Sequence, residues 1–187
     1  MMRVLAGILQ LRGPHPAAAK VLTATGLVMV AALLAVFLRL FRGVEALIAA
    51  RLYSAGMPTS VDFRGAIVFF GLGQPGGFGL RITPECTSAV LIAPIALVAA
   101  GLLSRPRVRW HRVLTGFLAA SAVLVIADQL RLGVIAWAVQ QFGLQAGFQW
   151  SHVVVGSVIS LVSAVGALVI LVRIAAGEPG VGVLHRN

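Results

Sequence analysis

Long apolar runs constrain this chain more than any other feature of its sequence. A helix needs about 20 consecutive apolar residues to cross the hydrocarbon core of a bilayer. Segments that approach or reach this length, each bounded by charged residues, lie at about 21–38, 86–103, 113–131 and 152–174. The sequence therefore predicts a transmembrane helix at each of these segments.

Composition excludes the other classes of fold. Apolar residues make up 59% of the chain and charged residues 11%, with a mean hydropathy of +1.00, whereas soluble domains carry about 25% charged residues. So few charged groups cannot cover the surface of a water-soluble globule, and the high hydrophobicity also excludes disorder. We predict an all-α integral membrane helical bundle of about four to five transmembrane helices, forming a single domain over residues 1–187.

The charge distribution predicts how the chain is oriented. Fifteen Lys and Arg against five Asp and Glu give a net charge of +10. In a membrane protein this excess is typical of cytoplasmic flanks facing the lipid bilayer, so we expect no nucleic acid partner. The short loop Ser104–Arg112 contains four arginines and no acid, which places it in the cytoplasm. The prediction is a multi-pass plasma-membrane protein with both termini cytoplasmic and segment 39–85 outside.

The predicted outer segment has two parts. Val44–Tyr53 is typical of a helix, whereas Val61–Phe70 and Phe78–Ile82 are rich in β-branched and aromatic residues. A glycine-rich stretch separates these two runs, which predicts a small extracytoplasmic β-hairpin-like segment. No Gly-Lys-Ser/Thr sequence follows the glycines, so we interpret them as a turn rather than a phosphate-binding loop.

Cys86 is the only cysteine of the chain, which excludes an internal disulfide and any multi-cysteine metal site. It follows Pro84-Glu85 and opens the second apolar run, so we expect it in the first turn of a helix at the outer face. Free amides and the helix dipole at that position favour a thiolate. Position alone leaves two interpretations open, a nucleophile or a small inert core residue.

Two further polar residues lie at the ends of apolar runs. Arg131 follows Asp128-Gln129-Leu130, and a guanidinium at membrane depth costs at least about 2.5–3.5 kcal/mol. Either it has a function there, or it extends to the outer interface beside Asp128 and ends the helix. His152 opens the fourth run, either as a catalyst or as a polar boundary residue.

The predicted topology places Cys86, Arg131 and His152 at one depth, at the outer ends of three helices. Helices in a small bundle pack about 8–10 Å apart, so side chains from three ends can meet. A nucleophilic cysteine needs a base or a cation to hold its thiolate, and His and Arg supply both. A fixed guanidinium can also stabilise the oxyanion of an acyl transfer. The sequence thus predicts one site near the outer membrane boundary.

Three motifs resemble those of the exosortase/archaeosortase family over about residues 61–174: Pro84-Glu85-Cys86-Thr87-Ser88, Asp128-Gln129-Leu130-Arg131 and Ser151-His152. The resemblance implies a membrane-embedded cysteine protease or transpeptidase. Its partner would be an exported protein with a C-terminal sorting signal, made of a short motif, a transmembrane helix and a basic tail. By this resemblance Cys86 would be the nucleophile, Arg131 the stabilising cation and His152 the general acid/base.

Neighbouring polar residues are candidates for substrate binding. We assign Glu85, Thr87 and Asp128 to this role; the alternatives are that Glu85 caps the helix, which we favour for this residue, and that Asp128 pairs with Arg131. No cofactor and no metal are predicted. A metal or haem carrier needs more ligands than Cys86 and His152 offer at one face, and Met57 is the one plausible addition.

The alternative to an enzyme is a non-enzymatic small integral membrane protein, such as an assembly factor or a permease subunit. It accounts for the composition and treats Cys86, Arg131 and His152 as boundary residues. A membrane-impermeant thiol reagent distinguishes the two classes, because an activated cysteine at the outer face reacts with it and a buried structural thiol does not.

Overall fold

A computed structural model describes residues 16–177 of the chain. Most of them are helical, in α1 (Pro16–Val36), α2 (Leu38–Tyr53), α3 (Ala89–Leu102), α4 (Trp110–Phe142), α5 (Leu144–Gln149) and α6 (Gly156–Ala176). A small sheet lies between α2 and α3, with strands β1 (Thr59–Asp62), β2 (Ile67–Phe70) and β3 (Phe78–Arg81). This architecture agrees with a helical membrane bundle that carries a small β segment. The two termini, predicted to be cytoplasmic, lie outside the described residues.

Three helical stretches of the described chain are long and apolar enough to cross a membrane: Ala17–Val36, Trp110–Phe142 and Leu144–Ala176. The span predicted at 86–103 is shorter than expected. Its helix, α3, has 14 residues, which is about 21 Å of length against a hydrocarbon core of about 30 Å. The first predicted span, 21–38, also shifts, because α1 already ends at Val36 and α2 starts at Leu38.

Helix α4 continues past the end predicted for it at residue 131. It has 33 residues, or about 50 Å of helix, which exceeds the thickness of the hydrocarbon core. Arg131 therefore does not end the helix but lies about 30 Å along it from Trp110. Asp128, Gln129 and Arg131 are all buried. Because these polar side chains are turned into the protein rather than towards lipid, they do not interrupt the helix.

The last candidate span starts earlier than predicted. Gly143 ends α4 with a positive φ of 81°, a backbone conformation that glycine adopts more readily than other residues. Helix α5, a π-helical turn (Trp150–Val155) and α6 then follow without a break. His152 therefore lies inside a continuous helical stretch and not at its start. Residues 144–149 were missed because their glutamines and glycine interrupt the apolar pattern.

The β segment has three antiparallel strands in the order β1-β2-β3. The prediction of a single strand at Val61–Phe70 is wrong, because this run contributes to two strands, β1 and β2. The Asp62 Oδ1 accepts hydrogen bonds from the backbone amides of Arg64 and Gly65, each with an N–O distance of 3.0 Å. This turn, closed by a side chain, reverses the chain direction. The glycine-rich stretch does form the predicted turn, between β2 and β3.

Two clusters of buried apolar side chains hold these elements together. We call the first the bundle core; it joins α1, α3, α4 and α6 and includes Leu27, Ile95, Val113, Leu124 and Leu171. The second, the sheet core, joins α2, the sheet and the C-terminal part of α4 and includes Ala46, Val68, Leu80, Cys86 and Ile135. Helix α4 contributes to both cores, so it connects the membrane bundle to the sheet.

Candidate active site

Cys86 closes a short 3₁₀ turn (Pro84–Cys86) that links β3 to α3. Its amide donates to the Thr83 carbonyl at 3.0 Å. The backbone of Thr87 is extended and α3 begins only at Ala89. The prediction that Cys86 lies in the first turn of a helix is therefore wrong, and the argument from the helix dipole does not apply to it. The side chain is 8% exposed and belongs to the sheet core.

Arg131 and His152 both contact the sulfur of Cys86. The Arg131 Nη2 donates to Sγ at 3.3 Å, and the His152 Nε2 lies 3.4 Å from Sγ. The three side chains come from the turn before α3, from α4 and from the π-helical turn. The structure thus brings together a thiol, a guanidinium and an imidazole that are separated by 66 residues of sequence.

The guanidinium of Arg131 is held by groups on two helices. Its Nη1 donates to Ser160 Oγ on α6 at 3.3 Å and lies 4.0 Å from Asp128 Oδ1 on α4. Gly156 leaves the space that the side chain occupies, because a Cβ at that position would lie 2.8 Å from Arg131 Nε. The sequence singled out neither Gly156 nor Ser160. The available signal was a glycine directly after three valines at the start of an apolar helix.

His152 is oriented by the π-helical turn in which it lies. Such turns are rare and occur frequently at functional sites, because the extra residue changes the direction of the side chains. The ring of Phe148 meets the imidazole edge-on, with 4.8 Å between ring centroids. The hydroxyl of Ser151 donates to the Gly147 carbonyl of the preceding turn. The imidazole is partly buried and has its Nε2 directed towards Cys86.

The three residues predicted to bind substrate lie in different environments. Glu85 is exposed next to Cys86, and its pKa is lowered, first by its own backbone amide and then by the Thr83 hydroxyl. Thr87 is 2% exposed, and its Oγ1 accepts the Ala89 amide at 3.3 Å. Asp128 is buried on α4 beside Arg131. Asp128 thus lies beside the group formed by Cys86, Arg131 and His152, whereas the Glu85 side chain is exposed and Thr87 contacts the start of α3.

Comparison with known proteins identifies the family of this chain. Residues 1–169 match the family model described as transmembrane exosortase. The chain belongs to the transmembrane exosortase family. No curated protein and no solved structure gives a significant match to it.

Membership of the exosortase family has consequences for function. It implies a peptidase or transpeptidase that is embedded in the membrane. It also implies that the substrates are exported proteins. The match over residues 1–169 confirms the predicted resemblance to this family.

A buried carboxylate on α2 of this exosortase was not predicted from the sequence. Glu45 is 2% exposed, and burial raises its pKa, while hydrogen bonds from Ser88 and Thr87 and the charge of Arg42 act in the opposite direction. The Glu45 Oε1 accepts the Ser88 amide at 2.9 Å and the Ser88 hydroxyl at 2.6 Å. The signal available was an acidic residue among alanines and leucines, in a chain with only five acids.

The described part of the exosortase chain, residues 16–177, contains no group of three or more His, Cys, Asp and Glu side chains that could hold a metal ion. Cys86 and His152 are in contact. Met57 lies elsewhere, where its sulfur accepts a hydrogen bond from Gln140 Nε2 at 3.3 Å.

Proposed function

We propose that this exosortase is a cysteine transpeptidase or protease that cleaves the C-terminal sorting signals of exported proteins through Cys86, Arg131 and His152. The observation that carries the proposal is the arrangement at one sulfur atom. Arg131 Nη2 lies 3.3 Å and His152 Nε2 lies 3.4 Å from Cys86 Sγ. A cation and a base within hydrogen-bond reach of a thiol are what a nucleophilic cysteine requires.

The first half of the reaction forms a thioester. The thiol proton passes to His152, and the Cys86 thiolate attacks the scissile carbonyl carbon. Negative charge then develops on the carbonyl oxygen, and the guanidinium of Arg131, already next to the sulfur, stabilises it. When the tetrahedral intermediate collapses, the C–N bond breaks and His152 gives its proton to the leaving amine.

The second half of the reaction releases the thioester. An incoming amine, hydroxyl or water gives its proton to His152 as it attacks the thioester carbonyl. The C–S bond breaks, and the Cys86 thiolate is restored and takes the proton back. An amine acceptor yields a new amide and thus transpeptidation, a hydroxyl yields an ester, and water yields a free carboxylate.

The proposed reaction takes place at the outer membrane boundary. The arginine-rich loop 104–112 precedes α4 and is assigned to the cytoplasm. Arg131 lies about 30 Å further along α4, which is the thickness of the hydrocarbon core. In the same proposed topology, both termini lie on the cytoplasmic side.

The membrane helix of the substrate is proposed to pack laterally against the bundle. An apolar groove of about 400 Å³ opens beside the π-helical turn, lined by residues that include Trp137, Phe142, Gly147, Trp150 and Ser151. Ser151 directly precedes His152, so a substrate segment that leaves the membrane into this groove would pass close to the sulfur of Cys86. The basic tail of the substrate would remain on the cytoplasmic side.

The extended motif of the substrate is proposed to add to the β segment. Strand β3 lies at one edge of the sheet and leads to Cys86 through residues 82–85. Strand addition would supply backbone hydrogen bonds to the motif. Glu85, Thr87 and Asp128 are proposed to contact the substrate near the scissile bond.

The test is the loss of the nucleophile. The variants Cys86→Ala and Cys86→Ser are expected to abolish processing of a co-expressed exported protein with a C-terminal sorting signal. Membrane insertion should remain at the wild-type level, because each substitution changes a single heavy atom of the side chain. Cleavage is followed by immunoblot of the substrate. Processing that continues in both variants would show that Cys86 is not the nucleophile.

A further inference from the structure

Helix α2 holds the chain on both sides of Cys86 through two buried charged side chains. Arg42 donates from Nε to the Ile82 carbonyl at 2.6 Å, four residues before the cysteine. Glu45 accepts both the amide and the hydroxyl of Ser88, two residues after it. Arg42 and Glu45 are three residues apart and therefore lie on the same face of the helix.

The hydrogen bonds of Ser88 show what Glu45 contributes. Serine is a preferred N-cap residue, and Ser88 occupies that position before α3. Its hydroxyl nevertheless makes no capping bond to its own helix and donates instead to Glu45 Oε1 at 2.6 Å. The start of α3 is thus fixed to α2, and the position of Cys86 relative to α2 is fixed with it.

Burying this carboxylate has a cost that a purely structural contact would not require. Removing an ionised carboxylate from water costs several kcal/mol unless partners compensate for it, and Ser88 could have capped α3 without Glu45. The hydrogen-bonded connection goes to the one segment that carries the chain's only cysteine. The arrangement is therefore explained by the need to place Cys86.

We propose that Glu45 is a positioning residue for Cys86. Together with Arg42, it holds residues 82–88 in the one arrangement in which Sγ contacts both Arg131 and His152. The inference rests on the proposed function for its catalytic meaning, but it concerns the placement of the sulfur and is tested on the sulfur. Without the Glu45 bonds, segment 86–88 moves and the Cys86 sulfur loses its contact with the guanidinium of Arg131.

The pH dependence of alkylation tests this placement. Because Cys86 is the only cysteine, iodoacetamide reports on this thiol alone in the full chain inserted in lipid vesicles. The measured quantity is the alkylation rate at pH 7 divided by the rate at pH 10. The division cancels differences in access to the thiol. A free cysteine gives a ratio of about 0.03, and a stabilised thiolate gives a higher one.

Two substitutions separate position from charge. Glu45→Gln keeps an oxygen that can accept both Ser88 donors, so its ratio is expected within about twofold of wild type. Glu45→Ala removes the acceptor, so its ratio is expected to fall at least about fivefold, towards the free-cysteine value. Asp62→Ala is the matched control: it removes another carboxylate that accepts two backbone amides, and its ratio should stay at the wild-type value.

Each outcome decides for or against the inference. An unchanged ratio in Glu45→Ala, with or without less inserted protein, assigns Glu45 a structural role and overturns it. Equal falls in Glu45→Gln and Glu45→Ala indicate an effect of charge and also overturn it. A wild-type ratio near 0.03 contradicts it as well, because no thiolate is then held. Failure of the proposed function appears elsewhere, as substrate processing that persists in Cys86→Ala.

Discussion

The two cores of this exosortase bury different kinds of side chain. The bundle core consists of apolar residues of α1, α3, α4 and α6. The buried polar and charged side chains of the described residues lie instead on α2, around the sheet core and in the π-helical turn: Arg42, Glu45, Thr87, Ser88, Asp128, Gln129, Arg131 and Ser151. Along α4, the buried side chains change from apolar to polar between Leu124, which belongs to the bundle core, and Asp128.

This difference separates the packing of the membrane helices from the proposed chemistry at Cys86. Apolar packing alone can hold helices together in a bilayer, as in the bundle core. Buried polar groups cost free energy unless they are paired, so they accumulate only where they have a purpose. Here one of them, Arg131, contacts the Cys86 thiol, and Thr87 and Ser88 directly follow Cys86 in the chain. Substitutions in the bundle core should therefore change stability, and those near Cys86 should change activity at normal stability.

Among substitutions that leave Cys86 in place, the largest expected effect is that of Arg131→Lys. Lysine keeps the charge but presents a single ammonium in place of a planar group that reaches both Cys86 and Ser160. Substrate processing is expected to fall about 100-fold, or about 2.7 kcal/mol in transition-state free energy. The measurement is the initial cleavage rate divided by the amount of inserted enzyme. A rate close to wild type would mean that Arg131 only anchors α4.

The counterpart in the bundle core is Leu124→Ala. Leu124 is 1% exposed, and truncating a buried leucine costs about 2–4 kcal/mol because it leaves a cavity. We expect a lower unfolding temperature in detergent but an unchanged cleavage rate per folded molecule. Leu118→Ala, at a position 58% exposed, is the control and should alter neither quantity. A loss of specific activity in Leu124→Ala would show that the two regions are coupled.

The sequence predicted the membrane class and the residues that meet, because both depend on strong local signals. Apolar runs identify the helices, and polar residues that interrupt them mark where the protein departs from simple packing. Cys86, Arg131 and His152 stood out for this reason. Their proximity in space followed from the predicted topology, which placed the ends of three helices at one depth.

The details that failed depend on tertiary contacts. The sequence predicts the end of a span at residue 131, yet α4 continues because the protein buries Arg131 and Asp128. The sequence predicts that α3 starts at Cys86, but the hydrogen bonds that Ser88 donates to Glu45 hold that segment against α2. No local sequence pattern predicts such a contact, since Glu45 and Ser88 are 43 residues apart.

A smaller effect is expected from Gly156→Ala, which tests how closely the guanidinium is confined. The added Cβ would lie 2.8 Å from Arg131 Nε, which is too close for any real contact, so Arg131 must shift relative to Cys86. We expect cleavage to fall about tenfold, since small displacements of a positioned group reduce rates strongly. Gly166→Ala on the same helix is the matched control, because a Cβ there meets no atom within 4 Å. Equal activity in the two variants would contradict the confinement.

The smallest effect is expected from Ser160→Ala. The Oγ of Ser160 accepts a 3.3 Å hydrogen bond from Arg131 Nη1, while Nη2, which contacts Cys86, is untouched. Losing one long hydrogen bond of this kind costs less than about 1 kcal/mol, so cleavage should fall only about threefold. Ser157→Ala, at an exposed position on the same helix, should leave the rate unchanged.

Combining Ser160→Ala with Arg131→Lys tests whether Ser160 acts through the guanidinium of Arg131. If Ser160 acts by orienting the guanidinium, Ser160→Ala should reduce cleavage in the wild type but not in Arg131→Lys, because residues that act through one group are not additive. Equal losses in both backgrounds would mean that Ser160 contributes to the packing of α6 and that the orientation of Arg131 depends on Gly156 and Asp128. Ser160 would then contribute to stability through packing, as the residues of the bundle core do.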